Sequence, residues 1–163
     1  MIVGIGTDIL QLSRLQAWPL KRLQRLSNRI LTTNEHRLLV DISGTRLHGS
    51  PGSEQEGGSH QDLIRFLGVR WAAKEALYKA VYPYRKLQWK DVELLPIHPE
   101  GGIRDEKKPV LDREQPFSSK LHATFTRSLP LTVNDATLPF LKTHVSISHD
   151  GGLVVAMVVV EGT

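Results

Sequence analysis

The apolar positions of the chain fall into three regimes. At the start, Ile2, Val3 and Ile5 form a β-branched run over residues 2–5 that predicts a first strand. Gly4 and Gly6 leave room for another backbone to approach it. After Asp8, Leu12 and Leu15 begin a helical spacing. Pro19 interrupts that spacing and Leu23, Leu26 and Ile30 resume it, which predicts two short helices around the proline. Thr32, Thr33, Asn34 and Glu35 read as the cap of a further helix near 36–41. Residues 43–61 are mostly Gly, Ser, Glu and His and are expected to form a flexible surface insertion. Asp62 is placed as the N-cap of the longest helix, 63–81. Phe66, Val69, Ala73, Ala76, Leu77 and Ala80 form its buried stripe, and Pro83 ends it.

The last regime is strand-like. Residues 92–95 read as one strand, 101–115 as polar and turn-rich, and 121–125 with 129–133 as a strand pair. His144, Ser146 and Ser148 alternate with Val145 and Ile147, the pattern of a half-buried strand. Asp150-Gly151-Gly152 is a hairpin turn, and 153–160 is a central strand apolar on both faces. This order predicts a single α+β domain over 1–163, with one antiparallel sheet packed on the long helix.

Composition narrows the function classes. The 163 residues contain no cysteine, which excludes a disulfide framework, a zinc-thiolate site and a thiol nucleophile. The longest apolar run, 153–160, is far short of the ~20 residues of a membrane-spanning helix. The opening residues lack a basic n-region and are read as neither a signal peptide nor an obvious transit peptide. A cytoplasmic and a mitochondrial-matrix location are expected to fit equally well. Lys and Arg number 21 against 17 Asp and Glu. The excess concentrates in Arg14, Lys21, Arg22, Arg25, Arg29 and Arg37, against the single acid Glu35. Such a patch suits an anionic partner, and a solvated helix face would look the same.

Three clusters could carry chemistry. Asp8, after Gly6-Thr7, reads first as an N-cap for a helix from Ile9 onward and second as a cation ligand. In the stretch Arg70-Trp71-Ala72-Ala73-Lys74-Glu75-Ala76-Leu77-Tyr78-Lys79, Glu75 and Lys79 stand at i,i+4 on one helix face. Arg70, Lys74 and Lys79 around one glutamate suggest a polyphosphate site with one metal ligand. Val145-Ser146-Ile147-Ser148-His149 runs into the Gly-Gly turn. Ser148 and His149 are neighbours on a strand and point to opposite faces, so they do not make a hydrolase pair. Asp8 and Glu75 together meet the needs of Mg²⁺, which takes one or two carboxylates plus substrate phosphates.

With these residues in view, the chain resembles the holo-acyl-carrier-protein synthase family, the small stand-alone 4′-phosphopantetheinyl transferases. Gly4-Ile5-Gly6-Thr7-Asp8-Ile9 with Arg14 is similar to its N-terminal signature. Ile30-Leu31-Thr32 with Glu35, Arg70 through Ala76 with Lys79, Lys108-Pro109, and His144 through His149 resemble its later motifs, in the same order. Gln11, Tyr78 and Asp150 depart from the pattern, standing where a glutamate, a serine and a hydroxyl residue are usual.

The resemblance implies a 4′-phosphopantetheinyl transferase fold and an enzyme of fatty acid biosynthesis. Its donor would be coenzyme A and its acceptor a serine of an apo acyl carrier protein, with Mg²⁺ as cofactor and adenosine 3′,5′-bisphosphate as leaving group. It implies Asp8 and Glu75 as metal ligands and Glu75, directly or through a water, as base for the serine. Lys79 would stabilise the leaving phosphate, and Arg70, Lys74, Ser148 and His149 would contact coenzyme A phosphates. Arg14, Arg22, Arg25 and Arg29 would face the acidic carrier. It further implies a homotrimer in which one protomer supplies Asp8 and Glu75 and its neighbour the His149 strand. No nucleic acid or membrane partner is expected. A non-catalytic basic module for nucleic acid or an acidic protein is the alternative; it leaves Asp8 and Glu75 without purpose and lacks interleaved aromatics for base stacking.

Overall fold

The start of the chain pairs antiparallel with its end, in unbroken register from Gly4 to Gln11 after one shift between Ile2 and Gly4. Strand β1 (Ile2–Gln11) lies against β7 (Leu153–Gly162), and β7 pairs on its other side with β6 (Leu141–Asp150). The sheet order is therefore β1-β7-β6, with β7 central as its apolar run predicts. The computed structural model describes residues 1–47, 56–96, 121–126, 131–133, 136–138 and 141–162. Between β1 and β6 the chain forms α1 (Ser13–Gln16), α2 (Leu20–Ile30), α3 (Thr33–Leu47), α4 (Glu56–Val81), a 3₁₀ turn (Trp89–Asp91), β2 (Val92–Pro96), β3 (Leu121–Phe125), β4 (Leu131–Val133) and β5 (Ala136–Leu138). Among the described residues no helix is long and apolar enough to cross a membrane.

Helix α4 packs on one face of the β1-β7-β6 sheet. The inward residues of β7, Val154, Ala156, Val158 and Val160, meet Ala72, Ala73, Ala76, Leu77 and Ala80 in a closed core. Small residues permit the contact. A Cβ at Gly4 would stand 1.9 Å from the Ala80 carbonyl oxygen, and one at Gly6 1.9 Å from that of Ala76. Only glycine lets strand and helix come this close. The other sheet face is apolar and exposed: Ile5 and Ile9 are each 60% accessible, and Val155 and Met157 lie beside them. The β6–β7 turn places Gly151 at φ 54° and Gly152 at φ 79°, the paired positive values of a two-residue hairpin.

Several expectations are corrected. Strand β1 runs to Gln11, so Asp8 is no helix cap; it pairs with Ala156 because β7 offers a full ladder of partners. Helix α4 starts at Glu56, so Asp62 lies inside it, and α3 reaches Leu47. Helix thus enters the 43–61 segment from both sides; residues 48–55 lie outside the described ones. The first turns of α4 carry no apolar residue, so hydrophobic spacing could not register them. Strand β3 pairs with β2 instead of 129–133, burying Val92, Leu94 and Ala123, while β4 pairs with β5. The described strands make three antiparallel sheets where one was expected. Residues 101–115 lie outside the described residues.

Candidate active site

The glycine contact that presses β1 onto α4 also brings three charged side chains together. Residues 4, 6 and 8 share the strand face that looks at the helix. Where Gly4 and Gly6 meet Ala80 and Ala76, Asp8 meets the next helix stripe, Glu75 and Lys79. Lys79 Nζ donates to Asp8 Oδ1 at 2.7 Å and to the Thr7 carbonyl at 2.9 Å. The Asp8 side chain is mostly covered, while that of Lys79 is half exposed.

Glu75 is partly buried, and that burial holds its carboxyl above the usual carboxylate range. The negative charge of Asp8 pushes the same way, and Lys79 opposes both. Two carboxylates close enough to raise a proton affinity, balanced by one lysine, form an electron-rich oxygen pair. Among the described residues no group of three or more His, Cys, Asp or Glu gathers, so a metal held here would find two carboxylates, Asp8 and Glu75. That set suits Mg²⁺ completed by phosphate and water, and does not suit zinc.

Beside Glu75 opens a cleft of about 150 Å³, lined also by Lys74, Tyr78, Leu87, Gln88, Trp89 and Val92. Tyr78 stacks on Tyr82, with ring centroids 5.7 Å apart, and gives the cleft an aromatic wall.

Arg70 and Lys74 do not join Glu75. Their charged groups converge on Glu35, which is fully buried. Lys74 Nζ donates to Glu35 Oε2 at 2.7 Å, to the Ile30 carbonyl at 2.6 Å and to the Trp89 carbonyl at 3.1 Å. Arg70 Nε lies 3.6 Å from Glu35 Oε1, with its guanidinium 3.3 Å over the Phe66 ring. Burial lowers the pKa of both cations, Arg70 to about 10, while Glu35 pulls each back up. The cations flanking Glu75 in sequence therefore surround a different glutamate, and the polyphosphate arrangement read from their spacing is not formed by them. Glu35, the one acid in the sequence of the basic patch, is interior and does not offset it at the surface. One signal marks it in sequence: Thr32 and Glu35 stand at capping-box spacing, and both reciprocal bonds are present.

Ser148 and His149 sit on β6, across the full width of the sheet from β1. Ser148 shares a row with Val155 and Ile9 on the exposed apolar face. His149 shares one with Val154 and Leu10 on the helix side, where Arg65 Nη2 lies 2.9 Å from its Nδ1. Within one protomer neither meets Asp8. Asp150 turns back on its own loop, accepting from Gly151 N at 2.8 Å, and Gln11 ends β1 in solvent. Arg14, Arg22, Arg25 and Arg29 are exposed along α1 and α2, Arg22 lying 3.7 Å over the Trp18 ring. Lys108 and Pro109 lie outside the described residues.

The 4′-phosphopantetheinyl transferase superfamily model matches residues 4–133, a span that includes Asp8, Glu75 and Lys79. The holo-[acyl-carrier-protein] synthase of Streptomyces coelicolor is 31% identical over 161 residues, covering 99% of this chain and 98% of that protein. That of Bacillus cereus is 30% identical over 163 residues, covering 100% and 98%. The holo-(acyl-carrier-protein) synthase of Bacillus anthracis, solved in complex with CoA (3′,5′-ADP), aligns at TM-score 0.58 and 28% identity, over 100% of this chain and 99% of that one. The Plasmodium yoelii synthase shares the fold at TM-score 0.59 and 19% identity, over 100% and 97%. The chain belongs to the 4′-phosphopantetheinyl transferase superfamily and, within it, to the holo-[acyl-carrier-protein] synthases.

Proposed function

We propose that this transferase moves the 4′-phosphopantetheine arm of coenzyme A onto a serine of an apo acyl carrier protein, in a Mg²⁺-dependent reaction that releases adenosine 3′,5′-bisphosphate. The observation that carries the reading is the cluster of Asp8, Glu75 and Lys79 at the β1–α4 contact, whose Glu75 lines a cleft. The serine oxygen attacks the β-phosphorus. The new O–P bond replaces the bond to the bridging oxygen, which leaves with its electron pair on adenosine 3′,5′-bisphosphate. Glu75, its proton affinity raised by burial and by Asp8, accepts the serine proton. Lys79, held by Asp8 and half exposed, presents positive charge where the leaving phosphate becomes more negative. Asp8 and Glu75 would hold Mg²⁺, which when bound neutralises diphosphate charge.

The same reading makes the enzyme a homotrimer. Two features support this: the exposed apolar face around Ile5, Ile9, Val155 and Met157, and the distance of the β6 residues from Asp8. A neighbouring protomer would bring its Ser148 and His149 to the coenzyme. The carrier, an acidic protein, would dock on Arg14, Arg22, Arg25 and Arg29. Intact-mass measurement of an apo carrier incubated with coenzyme A, Mg²⁺ and the protein tests the reaction. A phosphopantetheine-sized gain that vanishes with Glu75→Ala and without metal is expected. No gain with several carriers and folded protein would overturn it.

A further inference from the structure

Lys74 precedes Glu75 on α4, yet its ammonium points away from the carboxylate pair and into the protein. An ammonium has three N–H donors, and all three are used. One goes to the carbonyl of Ile30, the last residue of α2, which has no partner within its own helix. One goes to Glu35, in the first turn of α3. The third goes to the carbonyl of Trp89; both Lys74 and Trp89 line the cleft beside Glu75, but these three bonds commit every ammonium donor of Lys74 to protein partners. Glu35 is equally committed. It accepts from Thr32 N at 2.8 Å, from Lys74 and from Leu94 N at 3.1 Å, which ties in β2. One buried cation thus joins the end of the arginine-bearing helix α2, the start of α3 and the cleft wall to the helix turn that carries Glu75. A row of rings runs parallel to this link: Trp18 to Trp71 and Trp71 to Trp89, each pair 6.0 Å apart.

We propose that Lys74, held by Glu35, is a positioning residue that sets the carrier-docking helix α2 against Glu75, and that it takes no part in binding coenzyme A. The inference rests on the carrier docking proposed above. A rigid connection is needed because the acceptor serine must reach Glu75 while the rest of the carrier lies on α2. A misplacement of about 1 Å at such a junction can cost orders of magnitude in rate.

The test uses K74M and the charge-balanced double variant E35Q/K74M, each checked for folding by thermal melting. Coenzyme A affinity and apo-carrier affinity are measured separately by titration calorimetry, and kcat by intact mass. The expected result is a coenzyme A Kd within about twofold of the parent, a carrier Kd weakened about tenfold, and a kcat reduced by a similar factor. Loss of coenzyme A affinity, alone or with the other changes, would make Lys74 a donor-phosphate ligand and overturn the proposal. Unchanged carrier affinity would overturn it as well. So would failure of both variants to fold, which would make the cluster purely structural. Carrier affinity is read without turnover, so a parent protein that makes no transfer refutes the reaction and leaves this test standing.

Discussion

Lys79 donates to Asp8 across the contact of β1 with α4, joining residues 71 positions apart at 2.7 Å. One helical turn earlier, Glu75 feels the same Asp8 charge as a push against ionisation. The lysine compensates the carboxylate it touches and only partly the one it does not. Replacing Lys79 with Ala should therefore raise the proton affinity of Glu75 further, as well as removing charge from the leaving phosphate. A pH–rate profile of Lys79→Ala should show its acidic limb moved to higher pH and its plateau lowered about 10²-fold or more. An unmoved limb would exclude Glu75 as the titrating base.

Glu75 also sets a pH dependence of stability. Its folded-state pKa lies above the unfolded value, so its contribution is fully present below the unfolded pKa and is lost as pH rises through the folded one. In metal-free buffer, Glu75→Gln should melt higher than the parent near neutral pH, and the difference should close toward pH 4.5, the ordinary value of the group. Mg²⁺ should raise the melting temperature of the parent and leave that of Glu75→Gln nearly unchanged.

Gly6→Ala tests the strand–helix contact. Its Cβ would stand 1.9 Å from the Ala76 carbonyl oxygen, backbone that cannot step aside without moving α4. A destabilisation of about 1–3 kcal/mol or more by urea unfolding is expected, with transfer activity falling as Asp8 is displaced from Lys79.

The exposed sheet face should hold the assembly together. Met157→Glu or Ile9→Glu places a charge in the middle of that face without touching Asp8, Glu75 or Lys79. Sedimentation velocity should show a trimer for the parent and a monomer for either variant, and the monomer should bind coenzyme A far more weakly. A parent that sediments as a monomer with full activity would remove the need for a neighbour's Ser148 and His149.

Carrier docking should respond to salt. Arg22→Ala, Arg25→Ala and Arg29→Ala should each raise KM for the carrier several-fold at low ionic strength, and less at high, because exposed charges beyond about 10 Å are screened at 0.1 M salt. KM for coenzyme A should stay constant in all three.

What could be read from the sequence was what local spacing encodes. Ala73, Ala76 and Ala80 announced a buried helix stripe of small residues, and Gly4 with Gly6 announced a close backbone neighbour without naming it as that helix. Glu75 and Lys79 were legible as a pair because four residues return a helix to the same side. The end of β1 was not legible, because what keeps Asp8 extended is a ladder to Ala156 at the far end of the chain. The roles of Arg70 and Lys74 were hidden for a related reason. A cation's sequence neighbours do not say whether it faces water, and its true partner, Glu35, lies 39 residues before Lys74.

Strand β1 has two working sides. Gly4, Gly6 and Asp8 face the helix, while Ile5 and Ile9 face outward. Because side chains alternate strictly, shifting this strand by one residue against β7 would exchange the two sets. The carboxylate would enter the apolar surface, and isoleucines would be driven into the space that only glycine can occupy. A single-codon deletion between Gly4 and Asp8 would therefore damage chemistry and assembly together, where most point substitutions in the strand would damage only one.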